Sequence, residues 1–501
     1  MKRSYVLLGC VLCVAQSVGA LAQTLAADSL YDDWDGIPLA TLDPSGDASG
    51  VFDLASVYVT SRGTDLFLRF DIGVARNLIA GSGSDGDFRV DITHDSKLLR
   101  LDYRNRTVTW DGGSMSWVDI GARLHSTYAS SEFELRVDMS SIGASTGDTI
   151  SINFSGSDSL ATSLSHTLSA PGVPQVRRDP APHVDADFRI ASLNTRSTGT
   201  QSGSRASTIA RLLDGVDAEI YCLQEEYSSS VSDLESYLDT TDPLENGLPW
   251  NVVKNNDNAI ATQHTILEVP STDNSYAAAL VDFGGGDSVL VLSIHPKCCG
   301  YIGSSEDTRR IDQATEMRAT IDAFQSGSFG SPLDGYAGSP VIVVGDWNLV
   351  GSRTPLDIVM GADQQELLLR NLIGDDVITW RNDSSSFAPG RLDLLSHTGN
   401  DLFPLHSYVF DSERLDASEL SLLAMLSDDS LASDHLMLVA DFSFDAPPLS
   451  ADLNGDGFVD GADLGLLLGQ WGSAGATDLN SDGTTNGSDL GLLLAQWGAV
   501  P

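Results

Sequence analysis

The sequence predicts a multidomain chain: an all-β sandwich, then an α/β module, then a small α-helical repeat module. Three observations carry this. Short segments alternating apolar and polar residues, punctuated by Gly, Asp and Ser, fill residues 28–170. From Asp185 the texture changes to continuous apolar strands separated by stretches of helical spacing. Beyond Ala451 the chain repeats itself with a period of 26 residues, from Asp452 to Asp478.

Charge and targeting set the bounds. Of 501 residues, 28 are basic and 70 acidic, a formal net charge of −42. Such a balance argues against a general nucleic-acid or anionic-membrane binder, although a bound metal can supply positive charge locally. Lys2 and Arg3 precede an apolar run from Tyr5 to Leu21, with Ala20-Leu21-Ala22 as a cleavage site. Residues 1–22 therefore read as a bacterial-type signal peptide, and the mature chain is expected to be secreted or held at the cell surface. No later stretch is long enough to predict a transmembrane segment. Cys222, Cys298 and Cys299 remain after the signal. A bridge from Cys222 to either partner and a vicinal bridge are both open.

In the first module, Ala55–Thr60 and Asp65–Asp71 read as strands joined at Ser61-Arg62-Gly63-Thr64. Phe88–Ile92, Leu98–Tyr103, Thr107–Trp110, Phe133–Val137 and Thr149–Phe154 continue the pattern, predicting an antiparallel sandwich. The opening Asp33-Trp34-Asp35-Gly36, followed by Asp53–Phe70, resembles secreted carbohydrate-binding and DOMON-like sandwiches. That resemblance implies a glycan ligand; the alternative is a spacer. Residues 171–184, Pro-rich and without periodicity, read as a linker.

The α/β module, residues 185–443, has helical spacing at Arg205–Leu213 and Asp307–Phe324. Strands are expected at Phe188–Leu193, Asp217–Glu225, His264–Val269, Tyr276–Phe283, Val289–His295, Val341–Val344, Arg391–Leu395 and Leu436–Phe442. Polar residues recur at their ends, where ligand sites of α/β sheets gather. The Val341–Val344 run is followed by Gly345, Asp346, Trp347 and Asn348. Asp346 and Asn348 together read either as an Asx-turn or as functional groups held at the end of a buried strand.

After a second linker, residues 444–451, each repeat places oxygen donors at the positions of a 12-residue Ca²⁺ loop. The first has Asp452, Asn454, Asp456, Gly457, the Phe458 carbonyl, Asp460 and Asp463. The second has Asp478, Asn480, Asp482, Gly483, the Thr484 carbonyl, Asn486 and Asp489. All seven acidic residues after Ser450 fall on these positions, which a solvated acidic tail would not do. The stripes Leu464, Leu467, Leu468, Trp471 and Leu490, Leu493, Leu494, Trp497 predict two helices packed on each other. A duplicated Ca²⁺ loop with one helix resembles the dockerin module over residues 452–497, implying bound Ca²⁺ and a cohesin-like or cell-surface partner. Loop positions 10 and 11, which contact cohesin in that family and are often small hydroxylated pairs, are here Gly461-Ala462 and Gly487-Ser488.

The strand-end residues of the middle module, in the contexts SLN, LQE, SIH, GDWN, RLD and SDH, resemble the endonuclease/exonuclease/phosphatase superfamily from Phe188 to Phe442. The resemblance implies an α/β four-layered sandwich that hydrolyses phosphoesters with Mg²⁺ or Mn²⁺. It implies Glu225 as metal ligand with Asn194 and Asp434 nearby, and Asp346 as the group that deprotonates water. Asn348 would bond a phosphate oxygen, His435 would meet the phosphate as imidazolium oriented by Asp393, and His295 would support the phosphate or leaving group. Hard oxygen ligands and a water-activating base are what phosphodiester hydrolysis requires. Asp393 could instead pair with Arg391, and Arg309 and Arg310 could reach a substrate phosphate or solvate their helix. Glu226 is expected to be exposed. Only 14 basic residues, unclustered, lie in residues 185–443, which weakens a duplex-tracking nuclease. Lys297–Ile302 is expected to form a membrane-contacting loop or a disulfide-tied substrate lip. A phosphodiesterase, nuclease ahead of sphingomyelinase-type, phospholipase-type or phosphatase activity, is the main expectation. A non-catalytic scaffold or carbohydrate-adhesion protein is its competitor.

Overall fold

The computed structural model describes residues 25–79, 85–170, 176–242, 249–382, 384–399, 401–445, 451–454, 458–473, 475, 477–479 and 483–499. The signal segment 1–22 and the loop donors Asp456, Asn480 and Asp482 lie outside the described residues.

The central region is built on two six-stranded sheets. One runs Asn251–Asn255, Asn258–Thr262, Ile220–Gln224, Phe188–Asn194, Met437–Ser443, Phe403–Phe410; the other runs Thr265–Val269, Tyr276–Gly284, Asp287–Ile294, Val341–Asp346, Asp393–Thr398, Gln364–Leu367. The apolar run at 341–344 shows why they stack. Ile342 and Val344 face the core between the sheets with Ile190, Ile220 and Ala440. Val341 and Val343 face the other way, onto Met317 and Ile321 of the helix Ser305–Gln325. A period of two thus serves two apolar interfaces, which is why this strand shows no polar alternation. On the far face of the first sheet, Gly203–Val216 and Val231–Thr241 cover Ala191, Leu193 and Tyr221 with Ile209, Leu213, Leu234 and Leu238. Helix, sheet, sheet and helix make four layers. Sequence periodicity did not mark Val231–Thr241; its signal is the Ser230–Asp233 capping box.

Residues 39–167 form two antiparallel sheets of five and six strands around Phe70, Phe88, Phe133 and Phe154. Strands Leu39–Leu42, Gly113–Met115, Arg123–His125 and Leu164–Thr167 add to those read from sequence. This sandwich is seated directly on the central region. Asn77 Nδ2 donates to the carbonyls of Val350 (2.7 Å) and Gly351 (3.0 Å), Thr127 Oγ1 to that of Leu349 (3.0 Å), and Trp117 Nε1 to that of Ser386 (2.9 Å). Of the Pro-rich segment, residues 176–184 are tied down: Arg178 donates to the Asn371 and Gly374 carbonyls, and the His183 N–H to Asp441.

At the C-terminal end, Gly461–Gly469 and Gly487–Ala495 are capped by Asp460/Asp463 and Asn486/Asp489 boxes. The full stripes do not pack as expected. Leu467 and Leu493 are buried, whereas Leu468, Trp471, Leu494 and Trp497 are about half exposed. Nine-residue helices meet along barely two turns, so only the central contact closes. Among the described residues no helix is long and apolar enough to cross a membrane.

Candidate active site

Register brings the polar strand ends to one edge of both sheets. Asn194 pairs with Gln224, so Glu225 follows beside it; Ile294 pairs with Gly345, and Asp346 with Asp393. Asp434 and His435 immediately precede Met437–Ser443. Glu225, His295, Asp346, Asn348, Asp434 and His435 line a cleft of about 670 Å³, and Asn194 and Asp393 are buried beside them.

Asp346 is the centre. Its Oδ1 accepts the N–H of Asn348 at 2.9 Å, closing an Asx-turn. Its Oδ2 accepts from Asn194 Nδ2 (3.1 Å) and Asn348 Nδ2 (3.2 Å) and lies 3.6 Å from Nε2 of both His295 and His435. The Asx-turn read from sequence is therefore present, and it leaves the second carboxylate oxygen directed at the two imidazoles. Asn348 Nδ2 also donates to the Pro296 carbonyl at 3.2 Å, so its amide fixes Asp346 and the neighbouring loop.

Each imidazole has its own carboxylate behind it. His435 Nδ1 is 2.8 Å from Asp393 Oδ2, and His295 Nδ1 is 2.6 Å from Asp257 Oδ2. Burial opposes charge on His435, but the Asp393 and Asp346 carboxylates outweigh it and hold its pKa up at about 10. Burial pushes the Asp393 carboxyl up to about 6, still below its partner, so at neutral pH the pair is carboxylate and imidazolium. Burial likewise opposes charge on His295, and the Asp257 hydrogen bond with Asp346 and Glu225 raises its pKa on balance. Asp393 thus orients His435, while Arg391 pairs with Glu366 at 2.6 Å.

Asp257 escaped sequence reading. It stands in the polar run Asn255-Asn256-Asp257-Asn258, a tight turn between two strands, with no apolar context to single it out. Glu226 is a correction: it is fully buried, not exposed. Its carboxylate takes hydrogen bonds from Thr195 Oγ1 (2.6 Å), Thr200 Oγ1 (2.7 Å) and Ser229 Oγ (2.5 Å), a network that holds the loop carrying Glu225. Glu225 itself has φ +61°, and it accepts the Ser197 N–H at 2.7 Å and Asn194 Nδ2 at 3.2 Å. Asp434 accepts from Asn382 Nδ2 at 3.3 Å and lies 3.9 Å from Arg196.

Three further expectations change. Arg309 pairs with Asp273, and Arg310 is fully buried, donating to the Lys297 and Cys299 carbonyls; neither lines the cleft. Cys222 lies buried in the core between the sheets as a free thiol. Cys298 and Cys299 are free, their sulfurs 2.8 Å apart, on the cleft wall beside Tyr301. The 297–302 segment is therefore a lip held by Arg310, without a disulfide.

The donor set fits a hard divalent cation. The carboxylates of Glu225, Asp257, Asp346, Asp393 and Asp434 face two imidazoles and Arg196, which leaves the pocket with surplus negative charge. Ligand atoms of Asp346, Asp393 and His435 converge within 4.8 Å. Asp393 and His435 bond each other, and Glu225 and Asp434 add carboxylate oxygens on the cleft wall beside them.

No protein-family model and no curated protein matches the sequence. Among solved structures, the chain is similar to D. rerio TDP2 complexed with single strand DNA product, at 15% identity and TM-score 0.33, over 51% of this chain and 98% of that one. It is similar to an endonuclease/exonuclease/phosphatase family protein from Leptotrichia buccalis (13%, TM-score 0.35, over 51% and 100%). AP endonuclease LMAP from Leishmania major is similar at 12% identity and TM-score 0.35, over 55% of this chain and 93% of that one.

Proposed function

We propose that this protein is an exported, divalent-metal-dependent phosphodiesterase, a nuclease in preference to a lipid-headgroup hydrolase. One observation carries the reading. A single carboxylate oxygen, Asp346 Oδ2, sits between two imidazoles that are each fixed by their own aspartate, beside carboxylates in excess of local cations.

In this reading Asp346 Oδ2 orients a water and takes its proton as attack begins. Its partner Oδ1 is locked in the Asx-turn, so the base cannot rotate away. His435, held as an imidazolium, presents Nε2–H to a non-bridging phosphate oxygen, where negative charge grows in the transition state. His295, oriented by Asp257, faces the same space and is placed to bond the phosphate or protonate the leaving oxygen. Glu225, Asn194 and Asp434 would hold Mg²⁺ or Mn²⁺, which when bound neutralises phosphate charge. Export rests on the N-terminal signal pattern. The two C-terminal loops read as Ca²⁺ sites of a dockerin-like module for a cohesin-like or cell-surface partner, and a glycan remains the proposed ligand of the sandwich.

The test is the purified chain with Mg²⁺ on DNA, RNA, sphingomyelin and bis(4-nitrophenyl) phosphate, beside Glu225→Ala and His435→Ala. Both variants are expected to lose activity on whichever substrate the wild type cleaves. Activity that survives both changes would place the chemistry elsewhere.

A further inference from the structure

The catalytic cleft is not walled by the central region alone. Ile79, Arg106 and Thr127, all from the N-terminal sandwich, line it together with Phe387 and Tyr301. Arg106 sits in the turn between strands Lys97–Asp102 and Thr107–Trp110. Its guanidinium carbon lies 3.9 Å from the centroid of the Phe387 ring. Among the described residues no carboxylate pairs with it, whereas the sandwich's Arg69, Arg89, Arg100, Arg123 and Arg136 each hold one. Partial burial and the neighbouring Arg104 both act against its charge, so an anion placed there would be welcome.

The lip opposite is not free to dip into a membrane. The Ile302 N–H donates to Asn77 Oδ1 of the sandwich at 2.8 Å, and Arg310 holds the Lys297 and Cys299 carbonyls. What lines the cleft beside the reacting centre is a guanidinium without a carboxylate partner, stacked on Phe387, and the aromatic residues Trp380 and Tyr301. Alternating anions and flat π-faces are the chemistry of single-stranded nucleic acid. A duplex would need basic rims that this chain does not have.

Resting on the phosphodiesterase reading, we propose that the sandwich is a wall of the substrate cleft and that Arg106 is a specificity-determining residue. It binds a phosphate flanking the scissile one in a short single-stranded oligonucleotide.

The experiment uses the full chain with Mg²⁺ and three probes: a short oligothymidylate, bis(4-nitrophenyl) phosphate with its single phosphate, and sphingomyelin vesicles. The readout is the ratio of kcat/KM for the oligonucleotide to that for the small diester. Arg106→Ala is expected to lower this ratio about tenfold, through KM, as loss of one charge-assisted phosphate contact should. The salt dependence of log KM should also flatten by about one. Arg106→Lys should recover part of both, and Arg309→Ala, paired with Asp273 outside the cleft, should leave the ratio alone. A ratio unmoved by Arg106→Ala, or moved equally by Arg309→Ala, overturns the inference while the phosphodiesterase reading stands. So does a wild type that cleaves vesicles or the small diester but not the oligonucleotide. A wild type inactive on all three removes the phosphodiesterase reading and this inference with it.

Discussion

At the seam between the sandwich and the central region, Asp376 lies among three arginines. Its Oδ2 is 2.7 Å from Arg123 Nε and 3.8 Å from both Arg136 and Arg414. At the reacting centre the proportion is reversed, with five carboxylates around two imidazoles and the partly exposed Arg196. Both places bury acidic groups, yet their electrostatics differ in kind. At the seam the arginines overcome burial and hold the Asp376 carboxyl far below the usual carboxylate range, so its charge belongs to the fold. At the reacting centre the described basic groups do not balance the carboxylates, and such an uncompensated charge is costly to hold in a folded chain.

The sharpest way to break this comparison is to neutralise one carboxylate in each place. Asp346→Asn should lower kcat on the cleaved phosphodiester by about 10³-fold. Its stability to denaturant should change little, because the attraction lost to the two imidazoles is offset by relief of the repulsion on Asp393. Asp376→Asn should do the opposite, costing about 3–5 kcal/mol by leaving buried arginines without their counter-charge. Equal stability losses in the two variants, measured by urea unfolding, would erase the distinction. The seam also predicts an acid limit. Asp376 has a folded pKa depressed below its unfolded value, so its contribution is complete above about pH 4 and drains as pH falls through the folded value. Unfolding midpoints should fall over that range in the wild type and be flatter in Asp376→Asn.

A smaller effect separates the two imidazoles. Asp257→Asn frees His295 from its orienting partner while leaving the His435–Asp393 pair intact. A loss of roughly 10- to 100-fold in kcat is expected, with the alkaline limb of the pH–rate profile still set by His435. If Asp257→Asn matched Asp346→Asn in severity, His295 would be as central as the base.

What could be read from sequence follows from where the signal is local. Val341–Val344 declared a strand buried on both faces, and the polar residues after it declared an edge; both came from neighbours in the chain. Glu226 reads as exposed from its neighbours because its burial depends on Thr200 and Ser229, which only the fold brings around it. Asp257 was passed over because its partner His295 is 38 residues away. The seam was beyond reach altogether: Arg123 and Asp376 are 253 residues apart, and each alone reads as an ordinary surface charge. The overestimated stripe on the C-terminal helices has a different cause, since periodicity shows which residues share a face and not whether a partner is long enough to cover it.

The repeat module is a third balance of charge, and it yields the smallest predicted effect. No Lys or Arg follows Arg414, so the carboxylates of the two loops have no basic side chain in their own segment. Asp463 is satisfied by backbone, accepting the N–H groups of Leu453 (2.8 Å), Asn454 (3.1 Å) and Asp460 (2.8 Å). Three backbone donors thus converge on the twelfth position of the first loop. On the proposed Ca²⁺-loop reading, a divalent ion would neutralise these carboxylates. Adding Ca²⁺ to the full chain at a hundredfold excess over its Kd should stabilise this segment by about 2.7 kcal/mol. Trp471 and Trp497, both about half exposed, should report it by a change in fluorescence. Asp463→Ala should abolish the response of the first loop and leave phosphodiester turnover in the cleft where it was. If Ca²⁺ moved neither the fluorescence nor the stability, the repeats would be acidic loops closed by their own backbone. The cleft would then be the one region among these three whose charge balance asks for a metal.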